Sequence, residues 1–285
     1  MADHVMKVSG FTIARNAIKF NYPILESIQS ILPICDEFIV NVGDSDDGTL
    51  DLIRSIDSDK IRIIQNIWNS ADGAEVLSVQ TNLALGACTG DWAFYLQSDE
   101  IIHEKDLKKL KRMMEEHLHD KEVDALRFRW LHFYGSYFRY RIDSGWYQKQ
   151  DRIIRNNGIV ESCGDAFGFR RRDGHPLRRM STNYFVYHYG WVQSNEVMMR
   201  RRANAEMIGF IKLADHKRHE RYNYGDLNRF PIYFGTHPSV MREKIDRHSL
   251  SQNDLKGIDK RYWWQPLKWF KVRFKTGNRV RERIE

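Results

Sequence analysis

Between residues 5 and 130, short apolar runs alternate with amphipathic segments of helical period, and this rhythm restricts the fold more than any other feature of the chain. Val5 to Ile13, Glu37 to Val42, Ile61 to Gln65, Asp91 to Leu96 and Val123 to Trp130 read as strands. Helical spacing lies between them. Leu25, Ile28 and Leu32 follow Asn21 as a cap with Pro23 in the first turn, and Leu50 to Ile56 fits a short helix. Val76, Gln80, Leu83 and Ala87 mark a helix broken at Gly90, and Leu107, Leu110, Met114 and Leu118 mark another. Such alternation builds βαβ units around a mostly parallel sheet flanked by helices, an α/β fold. Ligands of these sheets bind beyond the carboxyl ends of the strands. Three polar tips therefore meet in one crevice: Ala14-Arg15-Asn16, the turn from Gly43 to Thr49 with Asp44, Asp46 and Asp47, and Gln97-Ser98-Asp99-Glu100.

Composition removes several classes. A hydrophobic share of 42% in 285 residues supports a sizeable core and excludes a disordered chain. No run approaches the roughly 18 apolar residues of a membrane span. The first residues lack the order of a signal peptide. Cys35, Cys88 and Cys163 stand far apart, which argues against a disulfide scaffold or a zinc cluster and points to a reducing cytosol. The net charge is +7, and residues 256–285 alone hold ten Lys/Arg against three Asp/Glu, so the excess sits in a basic tail behind a neutral body. That tail carries Trp263, Trp264, Trp269, Phe270 and Phe274, the composition of a segment that lies on an anionic membrane surface. A helix or strand packed on the body is the competing reading. With no second basic face on the body, nucleic acid is not expected as a partner.

Asp99 and Glu100 end a hydrophobic strand and precede a helix. Carboxylates at such a tip can hold a hard divalent cation, which neutralises a diphosphate leaving group, or can simply favour the start of a helix. In order and spacing, Phe11-Thr12-Ile13-Ala14-Arg15-Asn16, Asp47-Gly48-Thr49, Gln80-Thr81-Asn82-Leu83-Ala84, Gly90-Asp91-Trp92 and Leu96-Gln97-Ser98-Asp99-Glu100 resemble glycosyltransferase family 2, with the GT-A fold, and most closely its enzymes of lipopolysaccharide-core assembly. The resemblance covers about residues 5 to 130. It implies a nucleotide-diphosphate sugar donor, first a UDP-sugar, bound by Ala14, Arg15, Asn16, Asp44, Asp46, Asp47, Gln97 and Ser98. It also implies a Mn²⁺ or Mg²⁺ ion held by Asp99, with His188, late in the fold and before Gly190, as a further ligand or a diphosphate contact, while a packed core histidine among aromatics is the alternative. Three positions depart from the family pattern: Gln97 replaces the first acid of its DxD-type motif, Val42 the acid after the second strand, and Ala17 the Glu after Arg-Asn.

Inverting transfer needs a base for the acceptor hydroxyl. The resemblance puts it in the second half, where Glu161 and Asp165 are available; Asp165 lies farther into the turn and before Phe167. A turn acid bonding its own backbone is the alternative. Asp151 is a further acid, with an ion pair to Arg152 or Arg155 as its plainer role. Arg170, Arg171, Arg172, Arg178 and Arg179 form either a clamp on phosphate or a solvated charge run. Ser194 reads as the cap of a helix that carries Arg200, Arg201 and Arg202, which face either phosphate or water, with no preference from the sequence. The expectation is thus an inverting glycosyltransferase with residues 1–240 as the GT-A domain (1–130 donor half, 131–240 acceptor half) and 241–285 as a basic aromatic extension. It would act on a cell-surface glycan or lipid-linked acceptor, in the cytoplasm or at the inner face of the membrane. A non-catalytic relative and a nucleotidyltransferase are the alternatives, the latter opposed by the lack of a Gly-rich phosphate loop with a Lys near the N-terminus.

Overall fold

The computed structural model describes residues 4–69, 73, 75–143, 145–209, 211 and 221–248. The basic tail lies outside these residues. The chain forms strand β1 (Val8–Ala14), helix α1 (Ile24–Ile31), β2 (Glu37–Val42), α2 (Thr49–Arg54), β3 (Ile61–Gln65), α3 (Val76–Gly86), β4 (Trp92–Tyr95), β5 (Glu100–Ile102) and α4 (Glu104–Glu116). Then follow β6 (Ala125–Tyr134), β7 (Tyr140–Arg141), β8 (Lys149–Arg155), β9 (Val160–Cys163), β10 (Gly168–Arg171), β11 (Arg179–Trp191), α5 (Asn195–Met207) and α6 (Arg242–Arg247). The strands run β3-β2-β1-β4-β8-β6-β11-β5 in one sheet, with β7 on β6, and β9 and β10 form a separate hairpin.

The first four strands are parallel, as the βαβ rhythm predicts. Beyond them the sheet is mixed: β8 is antiparallel to both β4 and β6, β6 and β11 are parallel, and β5 closes antiparallel on β11. Both faces of the parallel part are covered. Phe38 and Val40 enter one apolar cluster with α1 and α4, and Ile39 enters another beneath α3. A sheet buried on both faces gives near-continuous apolar strands, which is why β2 stood out in the sequence. Met241 is buried among Phe133, Tyr187 and Tyr189, so the segment leading into α6 also packs on the body. Among the described residues, no helix is long and apolar enough to cross a membrane.

Two local expectations fail for tertiary reasons. Asn21 does not cap α1: it sits at φ 49° and gives its amide to Gln193 Oε1, 2.7 Å away. The buried face of α1 is Ile24, Ser27, Ile28 and Ile31, while Leu25 and Leu32 are only half-buried.

The order β4-β8-β6-β11-β5 puts four strand steps between β4 and β5, about 19 Å in a flat sheet. The link between Tyr95 and Glu100 reaches about 17 Å at full stretch. The sheet therefore has to curl, and the Gln97-Ser98-Asp99 tip bridges the mouth of the curl.

Candidate active site

The tips expected to meet do so. Arg15 donates to Asp44 Oδ2 (3.0 Å), Asn16 N–H to Ser45 Oγ (3.0 Å), and Asp46 N–H to Asn16 Oδ1 (2.9 Å). Asn16 makes this stitch from a left-handed conformation (φ 54°), which asparagine tolerates better than most residues. Asp47, just before the Gly48 cap of α2, accepts from Thr49 N–H (3.1 Å) and Lys19 N–H (2.6 Å). Asp46 is 64% exposed and pairs with Lys19 at 2.9 Å. The third tip is tied into place as well. Ser98 Oγ donates to Ile13 O (2.8 Å), Gln97 N–H to Glu100 Oε2 (3.1 Å), and Gln97 Nε2 to Ala166 O (3.2 Å).

These tips border a cavity of about 270 Å³. Of the residues named from sequence, Arg15, Gln97, Ser98 and Asp99 line it; Ala14, Asn16, Asp44, Asp46, Asp47, Glu161, Asp165 and His188 do not. Asp44 holds two lining residues, Arg15 through its guanidinium and Trp68 through its N–H (3.1 Å). Sequence reasoning missed Trp68, although it follows β3 at the same carboxyl-end level as the other tips, and that rule would have found it. Its ring lies against Gly43, where a Cβ would come within 2.7 Å of Trp68 Nε1. The buried donors Arg15 Nε and Trp68 Nε1 both meet no acceptor among the described residues.

The family model described as Glycosyl transferase family 2 matches residues 11–174. The chain belongs to this family. The curled α/β architecture is GT-A-like. Structures similar to this family-2 chain include S. aureus TarS 1-349, at 19% identity, with 94% of this chain and 79% of that chain covered and a TM-score of 0.42. The same protein in complex with UDP-GlcNAc gives 18% identity, 75% and 69% coverage and a TM-score of 0.43. Glucosyl-3-phosphoglycerate synthase from Mycobacterium tuberculosis, with Mn²⁺, UDP-glucose and phosphoglyceric acid, gives 19% identity, 44% of each chain and a TM-score of 0.31. The chain matches no curated protein.

In this glycosyltransferase, Asp99 Oδ2 faces His188 Nε2 at 3.6 Å. That is too long for a direct hydrogen bond. A Cβ on Gly190 would fall onto Asp99 Oδ2 and within 3.0 Å of His188 Nε2, so only glycine leaves this cradle open. Burial pushes the Asp99 carboxyl up, but the positive charges of Arg201 and of His188 in its protonated form outweigh it and hold it below the ordinary range. Asp99 and His188 are the two groups that would hold a divalent ion here, and such an ion would supply charge neutralisation to a diphosphate. Among the described residues no cluster of three or more His, Cys, Asp or Glu could hold a metal by itself.

Behind the cradle the strand register places Glu100, His188 and His132 abreast on three neighbouring strands. Trp130 stacks on His188 at 5.4 Å. His132, 2% exposed, has its pKa lowered to about 3, chiefly by burial. Glu100 is not part of the cradle: it forms a bidentate pair with Arg152 (2.6 and 2.7 Å), and both residues are fully buried. The register slips at Arg152, a β-bulge that turns its side chain into the curl.

Arg201 separates itself from its neighbours. It lines the cavity, donates to Phe20 O (2.9 Å) and to Gly190 O, and lies 3.9 Å above the Tyr22 ring. Arg200 pairs with Glu196, and Arg202 lies near the Tyr222 ring. Ser194 does cap this helix, accepting from Val197 N–H at 3.3 Å.

On the other side of the tip, Asp165 sits in the turn between β9 and β10. Beside it, Ala166 lines the cavity at φ 60°, and Phe167 stacks on Tyr147 at 5.7 Å. Glu161 is turned elsewhere, into pairs with Arg170 (2.8 Å) and Arg172 (3.2 Å). Asp151 pairs with Arg127 and Arg179, both at 2.9 Å or less, and not with Arg152 or Arg155. Arg171 and Arg178 engage Asp124. None of these five loop arginines lines the cavity, so the clamp reading gives way to a carboxylate-paired charge run.

Proposed function

We propose that this family-2 glycosyltransferase moves a sugar from a nucleotide-diphosphate donor, first a UDP-sugar, to a hydroxyl of a glycan or lipid-linked acceptor, with inversion at the anomeric carbon. The observation that carries this reading is the convergence on one cavity of Arg15, Trp68, the Gln97-Ser98-Asp99 tip and Arg201. Arg15 and Trp68, both held by Asp44, would border the nucleoside, and Arg201 would offer its guanidinium to the diphosphate. Asp99 and His188 would hold the divalent ion, and when bound it neutralises charge on the leaving diphosphate. Asp44 orients Arg15 and Trp68. Ser98 and Gln97 keep the tip in place, and the aromatic walls exclude water from the donor.

Asp165 stands as the base. Its carboxylate takes the proton of the acceptor hydroxyl, whose oxygen attacks the anomeric carbon opposite the diphosphate. The stacked rings of Phe167 and Tyr147 give the acceptor sugar a surface beside that base. An acceptor of the lipopolysaccharide-core type would suit an enzyme kept at the inner leaflet by the basic aromatic segment 256–285.

The test is thermal shift with a panel of nucleoside diphosphates, with and without Mn²⁺, followed by NMR of the anomeric product. A diphosphate at a hundred times its Kd adds about 2.7 kcal/mol of stability. UDP should stabilise most, more so with Mn²⁺, and Asp99→Asn should remove the metal-dependent part. Equal shifts from all diphosphates, or none, would refute the donor assignment; a product that keeps the donor's anomeric configuration would refute inversion.

A further inference from the structure

His188 makes one contact besides the cradle. Its Nδ1 lies 3.0 Å from His132 Nδ1, and His132 Nε2 lies 2.7 Å from the carbonyl oxygen of Tyr147. A carbonyl oxygen only accepts, so His132 Nε2 carries a hydrogen. His132 is 2% exposed and its hydrogen-bond partners are a carbonyl oxygen and an imidazole, so a second hydrogen would make a buried cation with no carboxylate bonded to it; Nδ1 is therefore the acceptor. The hydrogen between the two rings therefore belongs to His188 Nδ1. In the neutral ring that a metal ion requires, this leaves the His188 Nε2 lone pair toward Asp99 Oδ2, two acceptors facing each other across 3.6 Å. Such a pairing repels unless a cation lies between them.

We propose that His132 is a positioning residue: by accepting from His188 Nδ1–H it fixes the tautomer that makes His188 Nε2 a ligand toward Asp99. The inference rests on the reading of Asp99 and His188 as the cation pair. Nothing local in the sequence announces it. His132 and His188 are 56 positions apart and meet because the parallel β6–β11 register sets them side by side on one face. Trp130, stacked on His188, keeps the imidazole from turning away from the line of the relay. Metal-bound histidines commonly donate their second N–H to a fixed acceptor, and loss of that acceptor lowers metal affinity about 10- to 100-fold. In this chain the acceptor is a second imidazole anchored on the main chain.

The experiment uses the full chain labelled with ¹⁵N-histidine. Long-range ¹H–¹⁵N correlation reads the tautomer of His188 directly, without metal. The expected spectrum shows a protonated Nδ1 and a bare Nε2 for His188, and the reverse tautomer for His132. His132→Phe should move the His188 proton to Nε2 and weaken Mn²⁺ binding in the presence of UDP, followed by EPR, about 10- to 100-fold. His132→Gln, which restores an acceptor oxygen, should recover most of both. A wild-type His188 protonated on Nε2 overturns the proposal even if neither variant folds. So does a His132→Phe protein whose tautomer and Mn²⁺ affinity match wild type while Asp99→Asn loses the ion. If wild type and Asp99→Asn bind Mn²⁺ equally weakly, the cation reading itself fails and takes this inference with it.

Discussion

The fully buried Glu100–Arg152 pair makes the sharpest claim about what holds the Gln97-Ser98-Asp99 tip. Arg152 gives two hydrogen bonds to Glu100, one to Asp151 O (2.9 Å) and one to Phe167 O (3.2 Å). Its guanidinium lies 4.8 Å from the Trp130 ring centre. Arg152→Met deletes that hub but keeps much of its volume. Glu100 is then left in the curl as a carboxylate with Gln97 N–H as its remaining donor. Removing one partner of a buried pair destabilises by about 3–5 kcal/mol, against a total folding stability of about 5–15 kcal/mol. In urea, with a slope near 3 kcal/mol/M, the midpoint should fall by about 1 M or more. Glu100→Gln should cost a similar amount. The double variant should cost less than the sum, because neither charge is then stranded. Tryptophan fluorescence during urea unfolding measures all three. Additivity within about 0.5 kcal/mol would mean the two charges do not interact, and the pair could not then be what makes the tip rigid.

Four further outcomes follow from the same geometry. Gly190→Ala should abolish Mn²⁺ binding, read by EPR, because its Cβ lands on Asp99 Oδ2; retained binding would reject the cradle. Trp68→Phe keeps the ring but loses Nε1–H, and should weaken UDP by about 1 kcal/mol, roughly fivefold in Kd by calorimetry. Asp165→Asn should lower kcat by about 10²–10⁴-fold while Glu161→Gln changes it little, and the opposite ranking would move the base to Glu161. The Asp124 carboxyl is raised by burial but more strongly lowered by hydrogen bonds from Arg178 and Arg171, so its folded pKa lies well below the ordinary value. Its contribution is present above the unfolded pKa near 3.9 and is lost as pH falls toward the folded one. The stability gap between wild type and Asp124→Asn should therefore narrow between pH 5 and pH 3, and a constant gap would refute this.

The donor half was legible because its information is local. Glu37–Val42 shows its ends in the sequence itself, since a doubly covered strand is nearly apolar throughout and its flanks are not, and Ile61–Gln65, the half-buried edge strand beside it, still carries three isoleucines. Once those strands are parallel, Arg15, Ser98 and Asp99 have to converge. The acceptor half was not legible, because its strands find partners out of sequence order. β8 inserts between β4 and β6, which could not be read from a segment rich in Arg, Tyr and Phe. Arg152 looked like a partner for Asp151 next to it. The bulge turned it inward to Glu100, a partner 52 residues away. His132 was passed over for the same reason: its role depends on a register, and a register is set by the sheet as a whole.

Gln97 is where sequence and structure can be set against each other most directly. Beside the family pattern it looks like the loss of an acid. In place, its amide nitrogen donates to Ala166 O at 3.2 Å, which links the donor tip to the turn that carries Asp165. An acid at this position would have no hydrogen to give, and its charge would face a carbonyl oxygen. If Gln97 marked decay, Gln97→Asp would move the site back toward the pattern and raise Mn²⁺-dependent turnover. If the amide couples the two halves, the same change breaks a hydrogen bond and sets acceptor against acceptor, a loss of about 1–3 kcal/mol. Turnover should then fall, with kcat affected more than the UDP-sugar KM, because the turn that carries Asp165, the proposed base, and not the donor cavity is what loosens. Gln97→Glu, longer but also without a donor, should behave like Gln97→Asp. Higher activity in either variant would show that the link to Ala166 is incidental and that the tip still works as an acid motif with one member missing.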